Sequence, residues 1–581
     1  PIAVSSRKST PTEVDLITWL PKSTRPRTRS SVPEFRDNMT EVQNSDLTAP
    51  ADLLRHGEGT GPFRQRRPQY VDLLPPCNNA CPAGENIQAW LALAQAGQHE
   101  KAWQTLVRDN PLPGVHGRVC YHPCESNCNR AEVDSAVSIH AIERFLGDEA
   151  LKQGWQLQPE APPTGRRILI IGAGPSGLSA AYHLAMRGHT VEIQEAGPVP
   201  GGMMHFGIPA YRLPRDVLMA EVRRIETLGV TIRLNHKVEN LLEEKQRGNF
   251  DAVFVAIGAH LSRRVDIPAR DAGKILDAVS FLQEANTGAA PLLGRRVAVY
   301  GGGNTAMDTA RTALRLGAED AMIIYRRDRD HMPAHPFEAD EALEEGVKIN
   351  WLRSIKSIDQ SSITVEVMAI NDQGYPEPTG QIETLEADTL ILALGQDTET
   401  DFLKAIPDIE FKKDGTVVVD YNMMTGHDGI FAGGDMVPSE RTVTVAVGHG
   451  KKAARCMDAW LRGSTHVPSP KHPLVGHDQL NLWYFTEADQ LQQDELALAQ
   501  RLCGFKEVVA GLTEAEATYE ARRCFSCGNC FECDGCYGSC PENAIIKLGP
   551  GKRYRFDFER CTGCAVCFEQ CPCHAIEMIS E

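Results

Sequence analysis

The sequence predicts a multidomain α/β chain, in which two Rossmann-like dinucleotide-binding domains lie between a small helical domain and a compact α+β module. Three observations predict it. Two strand-turn-helix segments carry glycine motifs, one opening at Arg167 and one at Arg296. Cysteines cluster between Cys77 and Cys128 among residues with helical periodicity. The last stretch twice repeats the spacing C-x2-C-x2-C-x3-C-P, first as Cys530, Cys533, Cys536 and Cys540, then as Cys561, Cys564, Cys567 and Cys571.

That repeated run has the spacing of a bacterial-type ferredoxin with two [4Fe-4S] clusters, in which three cysteines hold one cube and the fourth crosses to the other. Zinc also binds C-x2-C pairs, but it does not need two four-cysteine runs each closed by C-P. The chain is therefore expected to carry electrons. Its 581 residues, at roughly 150 per domain, allow three or four domains. Eighteen cysteines grouped at C-x2-C and C-x3-C spacing suit metal thiolates in a reducing compartment, so the cytoplasm is the expected location. There is no apolar run of about 18 residues and no apolar core behind PIAVSSRKST, so no membrane insertion is expected. The net charge of −17 argues against a nucleic-acid partner.

Taken in order, residues 1–65 are rich in Pro, Ser, Thr and Arg and read as an extended arm, locally basic at Lys22, Arg25, Arg27 and Arg29. Such an arm is either a solvated tail or a strap ordered on a partner subunit. Residues 66–160 form the helical iron-sulfur domain, with apolar residues at helical spacing in IQAWLALAQAGQHEKAWQTLV. The FAD-binding domain takes 161–290 and 396–470, and the NAD(P)-binding domain takes 291–395. A linker over 471–519 then leads to the ferredoxin domain over 520–581.

The segment RILIIGAGPSGLSAAYHLAMRGHTVEIQEA contains a buried strand, the turn Gly172-x-Gly174-x-x-Gly177, a helix, a second strand and Glu195. The first glycine permits the turn, the second admits a pyrophosphate against the backbone, and the third lets helix pack on strand. The phosphates are expected at the helix N-terminus and a ribose hydroxyl pair at Glu195. Gly202, Met203 and Gly258 join this expected FAD site. In GIFAGGDMV, Gly434 and Asp435 precede a helix from Thr442, and the aspartate is placed to bind the ribityl or pyrophosphate part of FAD.

The segment RVAVYGGGNTAMDTARTALRLGAEDAMIIYRRD repeats the plan with Gly301, Gly303 and Ala306 at the turn positions and Asn304 and Thr305 at the helix start. Its second strand ends in Tyr325, Arg326 and Arg327, where an NAD site carries an acid. Guanidinium groups there suit a 2′-phosphate, which favours NADPH over NADH, although surface placement or stacking on adenine would not discriminate. Because this unit lies between Gly172 and the GGD motif, the nicotinamide domain is an insertion in a discontinuous FAD domain. Reductases of that arrangement that act on disulfides need a cysteine pair beside the flavin. This chain has no cysteine between Cys128 and Cys456, so its electrons are expected to leave through iron-sulfur centres.

The succession of PCNNACPAGENI, GRVCYHPCESNCNRAEVDSAVSIHAIERFL, the paired glycine motifs and YRRDRDHMPA resembles the small (beta) subunit of NADPH-dependent glutamate synthase, from about Cys77 to about Arg462. The ending CTGCAVCFEQCPCHAIEMI resembles the delta subunit of 2-oxoacid:ferredoxin oxidoreductases. The first resemblance implies two N-terminal cubes, one with a Gln or Glu ligand. By position, Cys81, Cys120, Cys124 and Glu143 would hold that cube, and Cys77 and Cys128 would be half of the other. The family's remaining C-x2-C pair lies just before Cys77, often in a context such as EAxRCxxCG, but this chain has RRPQYVDLLPPC there. The nearly matching YEARRCFSCGNC places Cys524 and Cys527 just before the ferredoxin run. Either those two fold back to complete a cube with Cys77 and Cys128, or they merely precede the module, or Cys77 or Cys128 replaces Glu143.

No acid-base residue is expected to be catalytic. Cys456, Cys503 and Cys573 read as ordinary thiols, His574 as packing, and Glu338 with the acids of EADEALEEG as a solvated helix face. The expected function is electron transfer between NAD(P)H and, through FAD and iron-sulfur cubes, ferredoxin or a partner redox enzyme. Three alternatives stand beside a free-standing reductase. These are the glutamate synthase subunit itself, the nicotinamide-reacting subunit of a 2-oxoacid oxidoreductase or dissimilatory sulfite reductase, and a structural electron wire.

Overall fold

A computed structural model describes residues 64–581 except 264, 266, 269–273 and 484. The extended arm with its four basic residues lies outside the described residues, apart from Arg64 and Gln65.

The apolar runs RILII and AVFV become central strands of a five-stranded parallel sheet, in the order Ile430–Ala432, Ala252–Val255, Arg167–Ile171, Thr190–Gln194, Thr231–Arg233. Both faces of this sheet are covered, which is why its inner strands are apolar on both sides. The helix Pro175–Met186 starts on a proline in its first turn and packs against the long helix Val443–Leu461. One strand and the long helix come from beyond residue 429, so this sheet is built from two separated stretches of chain.

The second parallel sheet runs Lys348–Trp351, Asp320–Tyr325, Arg296–Tyr300, Thr389–Leu392, Lys274–Asp277. It differs from the expected boundary at 291. Ile275 and Leu276 register with Leu390 and Ile391, and Phe281 and Leu282 of the helix Ala278–Asn286 fill the same core. An antiparallel meander, Arg353–Ile358, Ser362–Ile370, Pro376–Glu386, lies between the fourth strand's predecessor and the strand itself in sequence.

The N-terminal helices Ile87–Gln95, His99–Val107, Pro113–Val119 and Ile139–Gln153 bury Trp90, Trp103 and Leu106. Their core is completed from far along the chain by Leu512, Ala517 and Ala521. The helix Glu514–Arg522, capped reciprocally by Thr513 and Glu516, carries the last two one turn apart. The expected linker is therefore partly a return segment. Likewise Arg66–Tyr70 does not begin the helical domain; it pairs antiparallel with Ile576–Ser580, the last strand of the chain. Among the described residues no helix is long and apolar enough to cross a membrane.

Candidate functional site

At the first glycine turn Gly172 has φ +100°, and a Cβ there would lie 2.5 Å from the Ala256 carbonyl oxygen. A Cβ on Gly177 would lie 2.0 Å from the Gly172 carbonyl, so the helix can start only on a bare glycine. Gly174 has nothing within 4 Å of its Cβ position, leaving the backbone open to a ligand. Glu195 holds the turn from below, its carboxylate accepting from the Ala173 and Gly197 N–H groups at 2.7 Å each. Gly202, at φ +53°, abuts Gly174, and Met203 opens the short helix Met203–Phe206. Gly258, at φ +70°, faces open space, while Gly434, at φ +75°, sits over Ser176 and donates its N–H to His449 Nδ1 at 3.2 Å. The Ser176 hydroxyl is buried without a partner at the helix start. Burial pushes the Asp435 carboxyl up to about 6, with Arg441 opposing. An orphaned donor, an open backbone and a lone acid fit the pyrophosphate and polyol of FAD.

The second turn repeats this geometry: a Cβ on Gly301 would lie 2.2 Å from the Ala393 carbonyl oxygen, and Gly303 is open. Asn304 begins the helix Asn304–Arg315, and Thr305 contributes its carbonyl to the Thr309 hydroxyl at 2.6 Å. The Asn304 amide donates to the Tyr121 hydroxyl at 2.6 Å and accepts from the His335 N–H at 3.0 Å. Tyr121 stacks on His335 with ring centroids 3.6 Å apart. This tyrosine adjoins Cys120, so one residue ties the cysteine domain to the second nucleotide turn. Neither Arg326 nor Arg327 has an ion-pair partner among the described residues, and Arg327 Nε is buried without a hydrogen bond. That matches a site awaiting an anion.

Of the EADEALEEG acids, Asp340 and Glu344 are exposed as expected, but Glu338 and Glu345 are a correction. Glu338 is buried and accepts from Arg212 at 2.7 Å, while Arg212 also grips Asp308 at 2.8 Å. Glu345 is equally buried and binds Arg311 and Arg315. Helical periodicity alone could not reveal cations supplied by a neighbouring helix and by the FAD domain. Tyr121, Arg212, Asp308 and His335 were not recognised from sequence, since only the fold brings them to one junction.

The thiols gather in four groups. Cys81 and Cys120 lie near Glu143, and Cys124 lies near Cys120 and Cys81. Glu143 is buried, accepts from the Asn110 amide at 2.6 Å and lies 3.9 Å from His116 Nδ1. Burial first, then Glu85 and Glu221, raise its carboxyl well above the usual range. Cys77, Cys128, Cys524 and Cys527 line one cavity with Leu91 and Phe525. Cys540, Cys561, Cys564 and Cys567 line another. Cys530, Cys533 and Cys536 face Cys571, whose sulfur lies 3.8 Å from Cys573. The crossing of Cys540 and Cys571 between the two runs is thus present in the fold. Cys573 is buried against a member of the fourth group, whereas Cys456 is simply buried and Cys503 exposed. Burial disfavours the thiolate at Cys77, Cys81, Cys120, Cys124, Cys128, Cys524, Cys527, Cys530, Cys533, Cys536 and Cys567, and a bound cationic centre reverses that preference, so the donor sets fit thiolate-held iron-sulfur cubes.

Three family models match the chain: pyridine nucleotide-disulphide oxidoreductase over 166–450, dihydropyrimidine dehydrogenase domain II, 4Fe-4S cluster, over 73–155, and 4Fe-4S binding domain over 554–577. The NADP(+)-dependent formate dehydrogenase subunit beta of Moorella thermoacetica is 38% identical over 502 residues, 77% of this chain and 70% of that protein. The NADPH-Fe(3+) oxidoreductase subunit beta of Geobacter sulfurreducens is 33% identical over 501 residues, 77% of this chain and 74% of its own. The glutamate synthase [NADPH] small chain of Azospirillum brasilense is 33% identical over 427 residues, 68% of this chain and 88% of that protein. With its two glycine turns and grouped thiols, this chain belongs to the glutamate synthase small chain-like family of iron-sulfur flavoprotein oxidoreductases, which use FAD, NAD(P)H and [4Fe-4S] clusters.

Proposed function

We propose that this chain is the NADPH-reacting subunit of a redox complex, exchanging electrons with a ferredoxin-type or catalytic partner through its C-terminal module. The observation that carries this is that each thiol group neighbours the next: Cys120, beside the Tyr121–Asn304 contact, and Cys124 adjoin Cys77, Cys527 is three residues from Cys530, and Cys536 adjoins Cys567 and through it Cys564, which is exposed in the last domain. A further support is that relatives are named as beta subunits or small chains, which implies companion subunits.

FAD held at the first glycine turn would supply hydride acceptance and one-electron release, and cubes held by the grouped thiols would supply one-electron carriers. The protein's part is positional. Gly172, Gly174 and Gly177 admit the FAD pyrophosphate to the helix end, and Asp435 meets the ribityl side. Gly301, Gly303 and Asn304 do the same for NADPH, with Arg326 and Arg327 at its 2′-phosphate. The absence of cysteine between Cys128 and Cys456 leaves no dithiol to compete for the electrons.

Anaerobic addition of NADPH to the purified holoprotein tests the reading. Flavin bleaching followed by cluster signals in electron paramagnetic resonance is expected, with NADH slower. Failure of both nucleotides to bleach the flavin overturns it and leaves a structural wire. Anaerobic purification with mass spectrometry then identifies the partner; recovery of the chain alone, with NADPH-dependent ferredoxin reduction, assigns a free-standing reductase.

A further inference from the structure

We propose that Cys524 and Cys527, from the C-terminal end of the chain, complete a [4Fe-4S] site with Cys77 and Cys128 from its N-terminal end, and that this cube joins the flavin half to the ferredoxin module. The proposal rests on the electron-transfer reading above and adds the origin of the ligands and the place of the site in the line.

The four thiols line one cavity whose other walls include Leu91 and Phe525. Four thiols without a competing carboxylate in that lining match all-cysteine ligation of a cube. The loop that brings two of them home is built for the purpose. Arg523, buried, donates to the Ala136 carbonyl at 2.9 Å, to Glu520 at 2.9 Å and to Asp134 at 3.1 Å. Arg130, also buried, donates to the Arg523 carbonyl at 3.3 Å and lies 4.8 Å above the Phe525 ring. Gln95 donates to the Cys524 carbonyl at 3.2 Å. On the far side the Leu73 N–H donates to the Gly528 carbonyl at 3.0 Å, and the Asn529 amide to the Leu73 carbonyl at 2.9 Å. Gly528 has φ +73°, and a Cβ there would lie 2.5 Å from Leu73 Cβ, so only glycine allows the approach. Donors also point at the sulfurs: Ser526 N–H to Cys524 Sγ at 3.4 Å and the Asn129 amide to Cys527 Sγ at 3.5 Å. Such bonds stabilise thiolate ligands.

Chain connectivity sets the order. Cys77 and Cys81 are one helical turn apart, the Cys81 N–H donating to the Cys77 carbonyl at 3.2 Å, so this cavity neighbours the Glu143 group. Cys527 and Cys530 are three residues apart, which holds their Cα atoms within roughly 11 Å, so it also neighbours the first ferredoxin group. An electron that enters from the flavin side leaves toward Cys530, one for one, and the donor is the NADPH already named.

Iron analysis of the anaerobically purified full chain decides the ligand set. With about four irons per cube, about sixteen per chain are expected. About twelve, unchanged in the Cys524→Ser/Cys527→Ser variant, would overturn the proposal. The double variant Cys524→Ser/Cys527→Ser and the double variant Cys77→Ser/Cys128→Ser should each lose about four irons and the same paramagnetic signal. Loss from one pair only, or of different signals, overturns it; Cys503→Ser, at an exposed thiol elsewhere, should lose nothing. For the joining role, dithionite should still reduce the ferredoxin-module clusters of the Cys524→Ser/Cys527→Ser variant, while NADPH reduces them at least tenfold more slowly than in the wild type. Reduction by NADPH at the wild-type rate refutes that role. Flavin bleaching in the wild type is read separately, so failure of the functional reading is not confused with failure of this one.

Discussion

Replacing Arg327 by alanine should convert an NADPH-preferring site into one that no longer discriminates. Arg327 and Arg326 follow the strand Asp320–Tyr325, whose end carries the adenosine ribose in a fold of this type. No carboxylate pairs with either guanidinium among the described residues, and Arg327 Nε is buried without a partner. Their charges therefore stabilise nothing within the protein that truncation would cost. A charge-assisted hydrogen bond to a phosphate contributes about 1.5–3 kcal/mol, or roughly 10- to 150-fold in binding. Arg327→Ala should raise the KM for NADPH by about that factor. Arg326 is exposed, so its alanine variant should raise KM only about 2- to 5-fold through the weaker screened attraction. The KM for NADH should move less than about twofold in both, since it lacks the 2′-phosphate. Thermal stability should be unchanged. Steady-state reduction of an artificial dye at fixed ionic strength reads all four values. Equal losses with NADPH and NADH, or a wild-type preference for NADH, would refute the assignment of these arginines.

Four further outcomes follow from other parts of the fold. Gly177→Ala puts a methyl 2.0 Å from the Gly172 carbonyl oxygen and should abolish flavin retention, read as the flavin-to-protein ratio; a full complement of flavin would contradict the packing argument. Asp435 keeps its proton from the ordinary 3.8 up to about 6 because of burial, so its ionisation at higher pH opposes folding by about 3 kcal/mol. Asp435→Asn should then stabilise the flavin-free protein near neutral pH, with the gain vanishing below about pH 4, and should weaken FAD binding; a pH-independent melting difference would exclude this cause. Burial alone would raise Glu345, but hydrogen bonds from Arg315 and Arg311 hold it at about 2, so its contribution is full above 4.5 and lost as pH falls toward 2. Glu345→Gln should cost about 3–5 kcal/mol by stranding two buried guanidiniums, measured by urea unfolding of the nucleotide domain. Tyr121→Phe removes the acceptor 2.6 Å from the Asn304 amide and should raise the KM for NADPH about fivefold, about 1 kcal/mol, without changing that for dye.

Much of this architecture is written in local sequence, because the signals concerned are short-range. A buried apolar run followed by Gly172, Gly174 and Gly177 can be little other than a strand and a dinucleotide turn, since each glycine answers a contact within the same unit. The doubled cysteine run likewise announces two clusters, because thiolate spacing is a property of a few neighbouring residues. The insertion of one nucleotide domain in the other could be read from motif order alone. What the sequence could not determine is which distant segments share a core. Ala517 and Ala521 complete the N-terminal helices, Arg66–Tyr70 joins the last strand, and Glu338 and Glu345 are buried because Arg212, Arg311 and Arg315 reach them. The YEARRCFSCGNC segment hinted at a return, yet Cys524 and Cys527 lie several hundred residues from Cys77 and Cys128. Only the tertiary packing around Arg130, Arg523 and Gly528 brings the four thiols to one cavity, since burial and long-range hydrogen bonds are energies of the folded chain and leave no period in its sequence.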